Sequence, residues 1–266
     1  MGRKGAETST HFEKNGLAYF FEPQSIAVIG PLKEGFFGSH PAIKNLLEVG
    51  FKGKIFPVDV SCNEVLGLKV HPSIKNISET IDLALIIADP PTIPNLMIEC
   101  GEKDVKAIMI FSDGFAESNE ERSRLERKIV EIGKQSGIRI IGPNSTGIIN
   151  TGNGLVCCPF IMGQGKIRSG GIALCGENRM VGPHTFPYAD LHYGVSKICD
   201  LGNKSDVDES DMLEYLENDL STKVIAMHIE TIRDGKRFLK VASSTATHCK
   251  MFLSLYGLQG IISKHL

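Results

Sequence analysis

Short apolar runs alternate along the chain with segments whose apolar residues recur at helical spacing. In the first half, the runs read SIAVIG, KIFPVD, DLALIIA, VKAIMIF and IRIIG, starting at residues 25, 54, 82, 105 and 138. Unbroken apolar runs of this kind are typical of strands buried on both faces. Amphipathic helical patterns at 39–49, 92–100 and 118–135 lie between them. This alternation predicts a parallel sheet with helices on both faces.

Two of these helices carry further signals. Ser39 is expected to cap the first helix and Gly50 to end it. The long charged segment at 118–135 carries Leu125, Ile129 and Ile132 as its apolar stripe, so we expect that face to lie on the sheet.

The rhythm breaks at residues 149–171, INTGNGLVCCPFIMGQGKIRSGG, which are rich in glycine and lack a helical period. We interpret this segment as the connection between two domains, with the boundary near 150–168. The rhythm restarts with three apolar runs, GIALC, VSKICD and KVIAMHIE, and with helical patterns near 178–188, 208–219 and 234–242. The final stretch is apolar enough for a strand and a short helix. Residues 17–150 are therefore predicted as one α/β domain and residues 168–266 as a second, smaller parallel α/β domain.

Bulk composition argues against several classes of function. The 266 residues contain 29 basic and 31 acidic side chains, and this near balance of −2 argues against a general binder of nucleic acid or membranes. No apolar run approaches the roughly 20 residues that cross a bilayer, and the N-terminus lacks the apolar core of a signal peptide. The seven cysteines are scattered without a C-x-x-C pair, which is typical of reduced thiols. We therefore expect a cytoplasmic protein with no nucleic-acid or membrane partner.

The turn after the first strand has the layout of a phosphate-binding loop. Gly30, Gly35 and Gly38 would let a ligand approach the backbone, and Lys33 and the N-terminus of the next helix would favour negative charge. The turn is neither G-x-G-x-x-G nor a Walker loop, and turns between strand and helix often contain glycine without binding a ligand. An NAD site is an alternative, because Asp59 ends the second strand, where NAD-binding units hold the ribose.

Ligands of doubly wound sheets bind beyond the carboxyl ends of the strands. We therefore expect the polar groups that follow the later strands to converge on the same edge as the glycine-rich turn. These candidates lie at Asp59–Cys62, Ala88–Pro91, Ser112–Phe115 and Gly142–Gly147.

Seven blocks of the sequence, in their order along the chain, resemble the NDP-forming acyl-CoA synthetases, which are relatives of the succinyl-CoA synthetase α subunit. They read FFEPQSIAVIG, GFKGKIFPVD, NEVLGLKVHPSI, VKAIMIFSDGFAE, IRIIGPNSTGIIN, LGNKSDVDESDMLEYLENDLSTKVIAMHIE and DGKRFL. The resemblance runs from about Leu17 to about Val241. It implies a Rossmann-like CoA-binding domain at 17–150, followed by a flavodoxin-like CoA-ligase domain at 168–266.

The resemblance also implies which residues would hold CoA. The glycine-rich turn would receive a phosphate. Asn144, in GPNSTG, matches the family's GPN-x-x-G and would lie near the thiol end, with a turn-stabilising role as the alternative. Carried over position by position, the implied CoA site comprises Gly30, Pro31, Leu32, Lys33, Gly38, Asp59, Ala88, Asp89, Pro90, Ser112, Asp113, Gly114 and Asn144.

The sequence departs from the family pattern at two places. Residues 59–61 read Asp-Val-Ser where the family has Asn-Pro-Lys, so a cation near CoA is missing and an acid replaces an amide. In the second domain the family reads S-Q-S-G at a helix N-terminus that receives the transferred phosphate. Here Gly176, Glu177, Asn178 and Arg179 occupy those positions. The Glu177 carboxylate would repel a phosphate unless Arg179 or a metal ion compensates its charge.

The family's phosphate carrier is a histidine, and no histidine in this sequence has its context. His184, His192 and His248 lack the expected neighbours, and at the family spacing the histidine would lie just past Leu266. Glu230 matches the family acid that orients the phosphohistidine, although an ordinary solvated acid at a strand end gives the same pattern. No metal site is predicted. The sequence thus predicts a CoA site and an incomplete phosphate relay.

Two functions are compatible with these features. The first is an α-type subunit or fragment of an ADP-forming acyl-CoA synthetase, which catalyses acid + CoA + ATP ⇌ acyl-CoA + ADP + phosphate. An ATP-grasp β-type subunit or domain would bind ATP, ADP and Mg, and the substrate would be a small carboxylic acid or acyl-CoA. The alternative is a non-catalytic CoA- or acyl-CoA-binding module that has lost the relay. A third and weaker interpretation is an NAD-linked protein, and a homo-oligomer is left open.

Overall fold

The computed structural model describes residues 16–115, 120–162, 168–177, 182–183, 194–247 and 250–255. These residues form two large sheets and a short two-stranded ribbon. No helix within these ranges has the length and apolar character needed to cross a membrane.

The first sheet contains five parallel strands in the order β2–β1–β5–β6–β7. Its strands are β1 (Ser25–Ile29), β2 (Lys54–Val58), β5 (Leu83–Ile86), β6 (Ala107–Ile110) and β7 (Arg139–Ile141). The helices of this half are α1 (Ala18–Phe21), α2 (Ser39–Val49), α3 (Ile93–Glu102) and α4 (Glu120–Ser136), and the ribbon is β3 (Glu64–Val65) with β4 (Leu68–Lys69). The predicted doubly wound sheet is confirmed, and the strand order reverses between β1 and β5.

The second sheet has six strands in the order β13–β12–β10–β11–β8–β9. They are β8 (Ile148–Asn150), β9 (Leu155–Cys157), β10 (Ser169–Gly176), β11 (Val195–Asp200), β12 (Val224–Ile229) and β13 (Lys250–Leu255). The strands β13, β12, β10 and β11 are parallel, as predicted, whereas β8 and β9 are antiparallel. The described residues of this half include two helices, α5 (Glu209–Glu217) and α6 (Gly235–Thr245).

The glycine-rich segment interpreted as a connection contains the hairpin β8–β9. In its turn, Asn150 Oδ1 accepts the N–H of Gly152, and Asn153 Oδ1 accepts the N–H of Leu155. Asparagine side chains that accept a backbone N–H two residues further on are a common turn device. The hairpin pairs with β11 and makes the second sheet mixed. The domain limits near 150 and 168 remain a prediction.

Most predicted elements are present with ends shifted by a few residues, but the predicted N-cap of α2 is wrong. Gly38 is the capping residue, and Ser39 is the first helical residue, with a buried hydroxyl that has no hydrogen-bond partner. Gly50 ends the helix in the left-handed conformation, as predicted. The helix predicted near 178–188 lies outside the described residues apart from 182–183, and so does the short helix predicted at the C-terminus.

One hydrophobic cluster continues from the first sheet into the second, and α1 lies where the two meet. Phe20 and Phe21 are fully buried, and the ring of Phe21 stacks on Tyr215 with 4.9 Å between ring centroids. The carbonyl oxygen of Phe21 accepts hydrogen bonds from the side-chain amides of Asn150 and Asn153. Burial of each phenyl ring stabilises the fold by about 2 kcal/mol, so this short helix fastens the hairpin and α5 to the first sheet.

Backbone hydrogen bonds also join the two halves, between segments 140–144 and 201–207, which we call the inter-sheet seam. Arg139 reinforces it with ion pairs to Asp206 and Asp211 at 2.8 and 2.9 Å. The seam thus connects the loop beyond β7 to the loop beyond β11. Its backbone bonds run from Gly142 N to Leu201 O, from Asn203 N to Pro143 O, from Ser205 N to Gly142 O and from Val207 N to Ile140 O.

A buried ion pair in the second sheet gives a first test of this fold. Lys197 is buried, and its ammonium group lies 2.5 Å from Asp219 Oδ2 and 3.1 Å from Ser221 Oγ. We expect Asp219→Ala to lower the free energy of unfolding by about 3 kcal/mol, because a buried ammonium group loses its counter-ion. Urea denaturation measures the change. The double variant Lys197→Met/Asp219→Ala should recover most of the loss, and an equal loss in both variants would contradict the ion-pair explanation.

The same pair predicts a dependence of stability on pH. Burial raises the pKa of Asp219, but hydrogen bonds from Lys197 and Thr222 outweigh that effect and hold the pKa below its usual range. Such a carboxylate stabilises the fold fully above its unfolded pKa of about 4, and the contribution is lost as the pH falls through the folded pKa. The difference in unfolding free energy between the wild type and Asp219→Asn should therefore shrink as the pH is lowered from about 5 to about 3. A difference that stays constant would assign the acid sensitivity to other groups.

Candidate functional site

A cleft lies at the carboxyl edge of the first sheet, where the strand order reverses between β1 and β5. Its volume is about 350 Å³, within the range of small-molecule sites. The loops after β1, β5 and β6 form its walls, which include most of the residues predicted to hold CoA. The lining residues are Pro31, Lys33, Glu34, Phe37, Gly38, Ile87, Ala88, Asp89, Pro90, Ser112 and Asp113. The other predicted residues do not line the cleft: Gly30, Leu32 and Gly114 lie in the same loops, Asp59 follows β2, and Asn144 lies in the loop after β7.

Gly30 allows the loop after β1 to lie close to the loop after β5. Its φ of 140° lies in the region that favours glycine, and a Cβ atom at this position would collide with the carbonyl oxygen of Ile87. The N–H of Ile87 in turn donates to Ile29 O at 2.9 Å. Gly30 therefore sets the spacing of the cleft without lining it.

Asp59 does not present a free carboxylate to the cleft. Oδ2 accepts the N–H of Leu32 at 3.0 Å and the hydroxyl of Ser61 at 2.6 Å, and Oδ1 accepts the N–H of Val60 at 2.7 Å. Partial burial raises the pKa of Asp59, but the bonds from Ser61, Leu32 and Val60 outweigh this and lower it. The carboxylate stays ionised and ties the end of β2 to the glycine-rich loop. Sequence reasoning assigned Asp59 to a ligand. The contacts seen here are with Leu32 of the glycine-rich loop and with its own turn, and a role in ligand binding stays a prediction.

Ser112 connects the loops beyond β5 and β6. Its hydroxyl donates to Ala88 O at 2.6 Å and accepts the N–H of Ala88 at 3.0 Å, and its carbonyl oxygen accepts the N–H of Asn144. Asn144 is half-buried and has a φ of 62°, a conformation that asparagine tolerates well. Three successive loops are thereby joined along one edge of the sheet. Gly114, in the same loop as Ser112, is also half-buried.

The helix α2 points its N-terminus towards this cleft through Gly38. The first turn of the helix has no acidic residue, so its free N–H groups and dipole favour an anion. The side chains are less favourable to an anion, since Lys33 is joined at the lining by Glu34, Asp89 and Asp113. Among the described residues, attraction of a phosphate therefore depends on backbone N–H groups together with Lys33.

The second candidate region lies at the carboxyl edge of the second sheet, where Gly176 ends β10. Glu177 follows it, and the charge of its carboxylate is compensated by Lys204, whose Nζ is 3.0 Å from Glu177 Oε1. Sequence reasoning looked to Arg179 or a metal ion for this role. Lys204 was missed, although it lies in the block LGNKSDVDESD, because Lys204 and Glu177 are distant along the chain. Asn178 and Arg179 lie outside the described residues.

Glu230 lies beside this region at the end of β12. Its N–H donates to Glu177 Oε1, and its own carboxylate is part-exposed, with Oε1 3.7 Å from His228 Nε2. The three histidines weighed as phosphate carriers, His184, His192 and His248, lie outside the described residues. The role of Glu230 as an orienting acid remains a prediction.

Comparison with known proteins shows two matching domain families. The CoA binding domain matches residues 24–151, and the succinyl-CoA ligase like flavodoxin domain matches residues 169–257. The first of these contains the cleft and the second contains the Glu177 region.

Curated relatives match the same part of the chain. The acetate–CoA ligase [ADP-forming] II subunit alpha of Pyrococcus furiosus is 39% identical over 227 residues, which are 85% of this chain and 49% of that protein. The acetate–CoA ligase [ADP-forming] II of Archaeoglobus fulgidus is 37% identical over 241 residues, which are 90% of this chain and 36% of that protein. The chain thus spans half or less of the length of these relatives.

Solved structures of similar sequence also have a similar fold. The dinucleotide forming acetyl-coenzyme A synthetase 1 of Ca. Korarchaeum cryptofilum, in complex with phosphate and ADP, matches with a TM-score of 0.84 and 29% identity over 91% of this chain and 52% of that one. The protein PH0766 from Pyrococcus horikoshii matches with a TM-score of 0.82 and 36% identity, over 91% and 55% of the two chains. The chain, with its CoA-binding and ligase-type flavodoxin domains in this order, belongs to the NDP-forming acyl-CoA synthetase family.

Proposed function

We propose that this chain is the CoA-binding, α-type part of an acyl-CoA synthetase that catalyses acid + CoA + ATP ⇌ acyl-CoA + ADP + phosphate. The observation that carries the proposal is the cleft between the glycine-rich turn, the N-terminus of α2 and the loops after β5 and β6. Two relatives that are 37% and 39% identical to this chain are named acetate–CoA ligases, which supports a small carboxylic acid or its acyl-CoA as substrate.

CoA fits the residues at the cleft in two respects. A phosphate group could accept from the free N–H groups at the start of α2 and from Lys33. The hydroxyl of Ser39, in the first turn of the same helix, is buried without a hydrogen-bond partner. A small movement of that turn would let the hydroxyl donate to the bound phosphate. The thiol end would then extend along the loops beyond β6 and β7, towards Asn144.

NAD is the less suitable ligand. An NAD site would need the Asp59 carboxylate for the ribose hydroxyls, but that group already accepts hydrogen bonds from Leu32, Val60 and Ser61. Breaking these contacts would also release the glycine-rich loop. We therefore assign the cleft to CoA.

The remaining chemistry belongs to a partner. An ATP-grasp subunit or domain would bind ATP, ADP and Mg, since this chain is similar to the alpha subunit of an ADP-forming acetate–CoA ligase. The reaction would take place in the cytoplasm, where CoA and ATP are both abundant. The buried Glu177 at the expected phosphate turn supports a second function, a CoA- or acyl-CoA-binding module that does not carry phosphate.

Calorimetric titration with CoA, 3′-dephospho-CoA and NAD tests the binding site. We expect CoA to bind, NAD to bind far more weakly, and Lys33→Gln to weaken CoA binding about three- to tenfold through loss of one charge-assisted contact. If Lys33 faces the 3′-phosphate, the effects of Lys33→Gln and of removing that phosphate will not add. Lys52→Gln, which removes an exposed lysine away from the cleft, is the matched control. Tighter binding of NAD than of CoA would refute the assignment.

Reconstitution tests the reaction. The purified chain alone should release no ADP from ATP with acetate and CoA, and addition of an ATP-grasp chain that co-purifies with it should start acetate- and CoA-dependent ADP release. ADP release by the chain alone would contradict the division of labour. If the complex binds CoA but releases no ADP, the chain is better described as the non-catalytic CoA-binding module than as part of an enzyme.

A further inference from the structure

Four hydrogen-bond donors converge on the carboxylate of Glu177. Its Oε1 accepts the N–H groups of Glu230 and Thr231 at 2.6 and 3.1 Å and lies 3.0 Å from Lys204 Nζ. Its Oε2 lies 3.3 Å from the hydroxyl of Thr231. Consecutive backbone N–H groups beside a cation are a typical arrangement for binding an anion. Glu177 and Lys204 are buried, at 6% and 2% exposed, so the carboxylate is held by an ammonium group that is itself shielded from bulk water.

Lys204 has a second counter-ion besides Glu177. Its Nζ also lies 2.9 Å from Glu209 Oε2 and 2.5 Å from Thr231 O, and Glu209 is itself held by the N–H of Arg233. Without the Glu177 carboxylate, the ion pair between Lys204 and Glu209 would persist. The N–H groups of Glu230 and Thr231 would lose the acceptor that they share. The summed charge of Glu177, Lys204 and Glu209 would change from −1 to neutral, and the volume of the removed side chain would be open to an external anion.

We propose that Glu177 is a built-in anion that fills an oxyanion-binding pocket at the carboxyl edge of the second sheet. The pocket lies directly after β10, at the turn where the resemblance expects a transferred phosphate. In the wild-type chain the side chain of Glu177 keeps small oxyanions out. Shortening this side chain should open a site for a carboxylate or a phosphate. The inference rests on the second sheet alone and does not require that the first cleft bind CoA.

Glu177→Ala tests the proposal, because the substitution removes a group with the size and charge of acetate. The N–H groups of Glu230 and Thr231 then lose their shared acceptor, and we expect the unfolding temperature to fall by about 5–10 °C. Millimolar sodium acetate should restore at least half of the loss in a saturable manner, whereas sodium chloride of equal ionic strength should not. Sodium phosphate in a parallel titration distinguishes a pocket that admits phosphate from one that fits only a carboxylate. Failure of both anions to restore stability would overturn the proposal.

Two control variants separate pocket filling from general effects. Glu177→Gln keeps an acceptor in the pocket, so its unfolding temperature should not respond to acetate. Glu131→Ala removes an exposed glutamate on α4 and should not respond either. Anions that bind at the first cleft would stabilise all variants equally, and they cancel in the comparison. An equal response of Glu177→Gln and Glu177→Ala would exclude the pocket as the binding site.

A measurement on the wild type covers the case in which Glu177→Ala does not fold. The backbone amide resonances of Glu230 and Thr231 report directly on the acceptor of their N–H groups. Phosphate should leave both resonances in place while Glu177 fills the pocket. A saturable shift of both resonances with phosphate would show that the pocket is open and would refute the proposal.

Discussion

The inter-sheet seam is the contact on which both candidate regions depend. It pairs the loop beyond β7 with the loop beyond β11, and Asp200 strengthens it because its buried carboxylate accepts the N–H and the hydroxyl of Thr146. The first loop carries Asn144, whose N–H donates to the carbonyl oxygen of Ser112, so a shift of this loop would also move Ser112. The second loop carries Lys204. One run of backbone hydrogen bonds therefore positions Asn144, beside the cleft, and the cation that pairs with Glu177.

The two regions handle negative charge differently. At the first cleft an anion would be attracted chiefly by helix and backbone dipoles, since Lys33 is outnumbered by acidic side chains at the lining. At the second, the donors are just as well arranged but a resident carboxylate already uses them. A chain built in this way is suited to bind a phosphorylated cofactor at one edge. It is poorly suited to accept a free phosphate at the other.

The contacts of Asp59 and Glu177 explain how the chain accommodates two acids that depart from the family pattern. Asp59 in place of an asparagine looks unfavourable beside a phosphate ligand, yet its carboxylate holds the glycine-rich loop through Leu32. Glu177 in place of a glutamine looks unfavourable for the same reason, yet Lys204 pairs with its carboxylate and two backbone N–H groups donate to it. In both cases the acid binds its own chain.

The sequence by itself determined the fold class, the order of the elements and the loops that form the cleft. These features follow from local periodicity and from the rule that parallel strands place their following loops on one edge. The seven family blocks likewise sufficed to identify the family. Only the tertiary structure decided that Asp59 fastens a loop, that residues 149–171 contain a hairpin of the second sheet, and that Lys204 partners Glu177. Each of these depends on contacts between residues far apart along the chain, and the periodicity of a single segment carries no information about them.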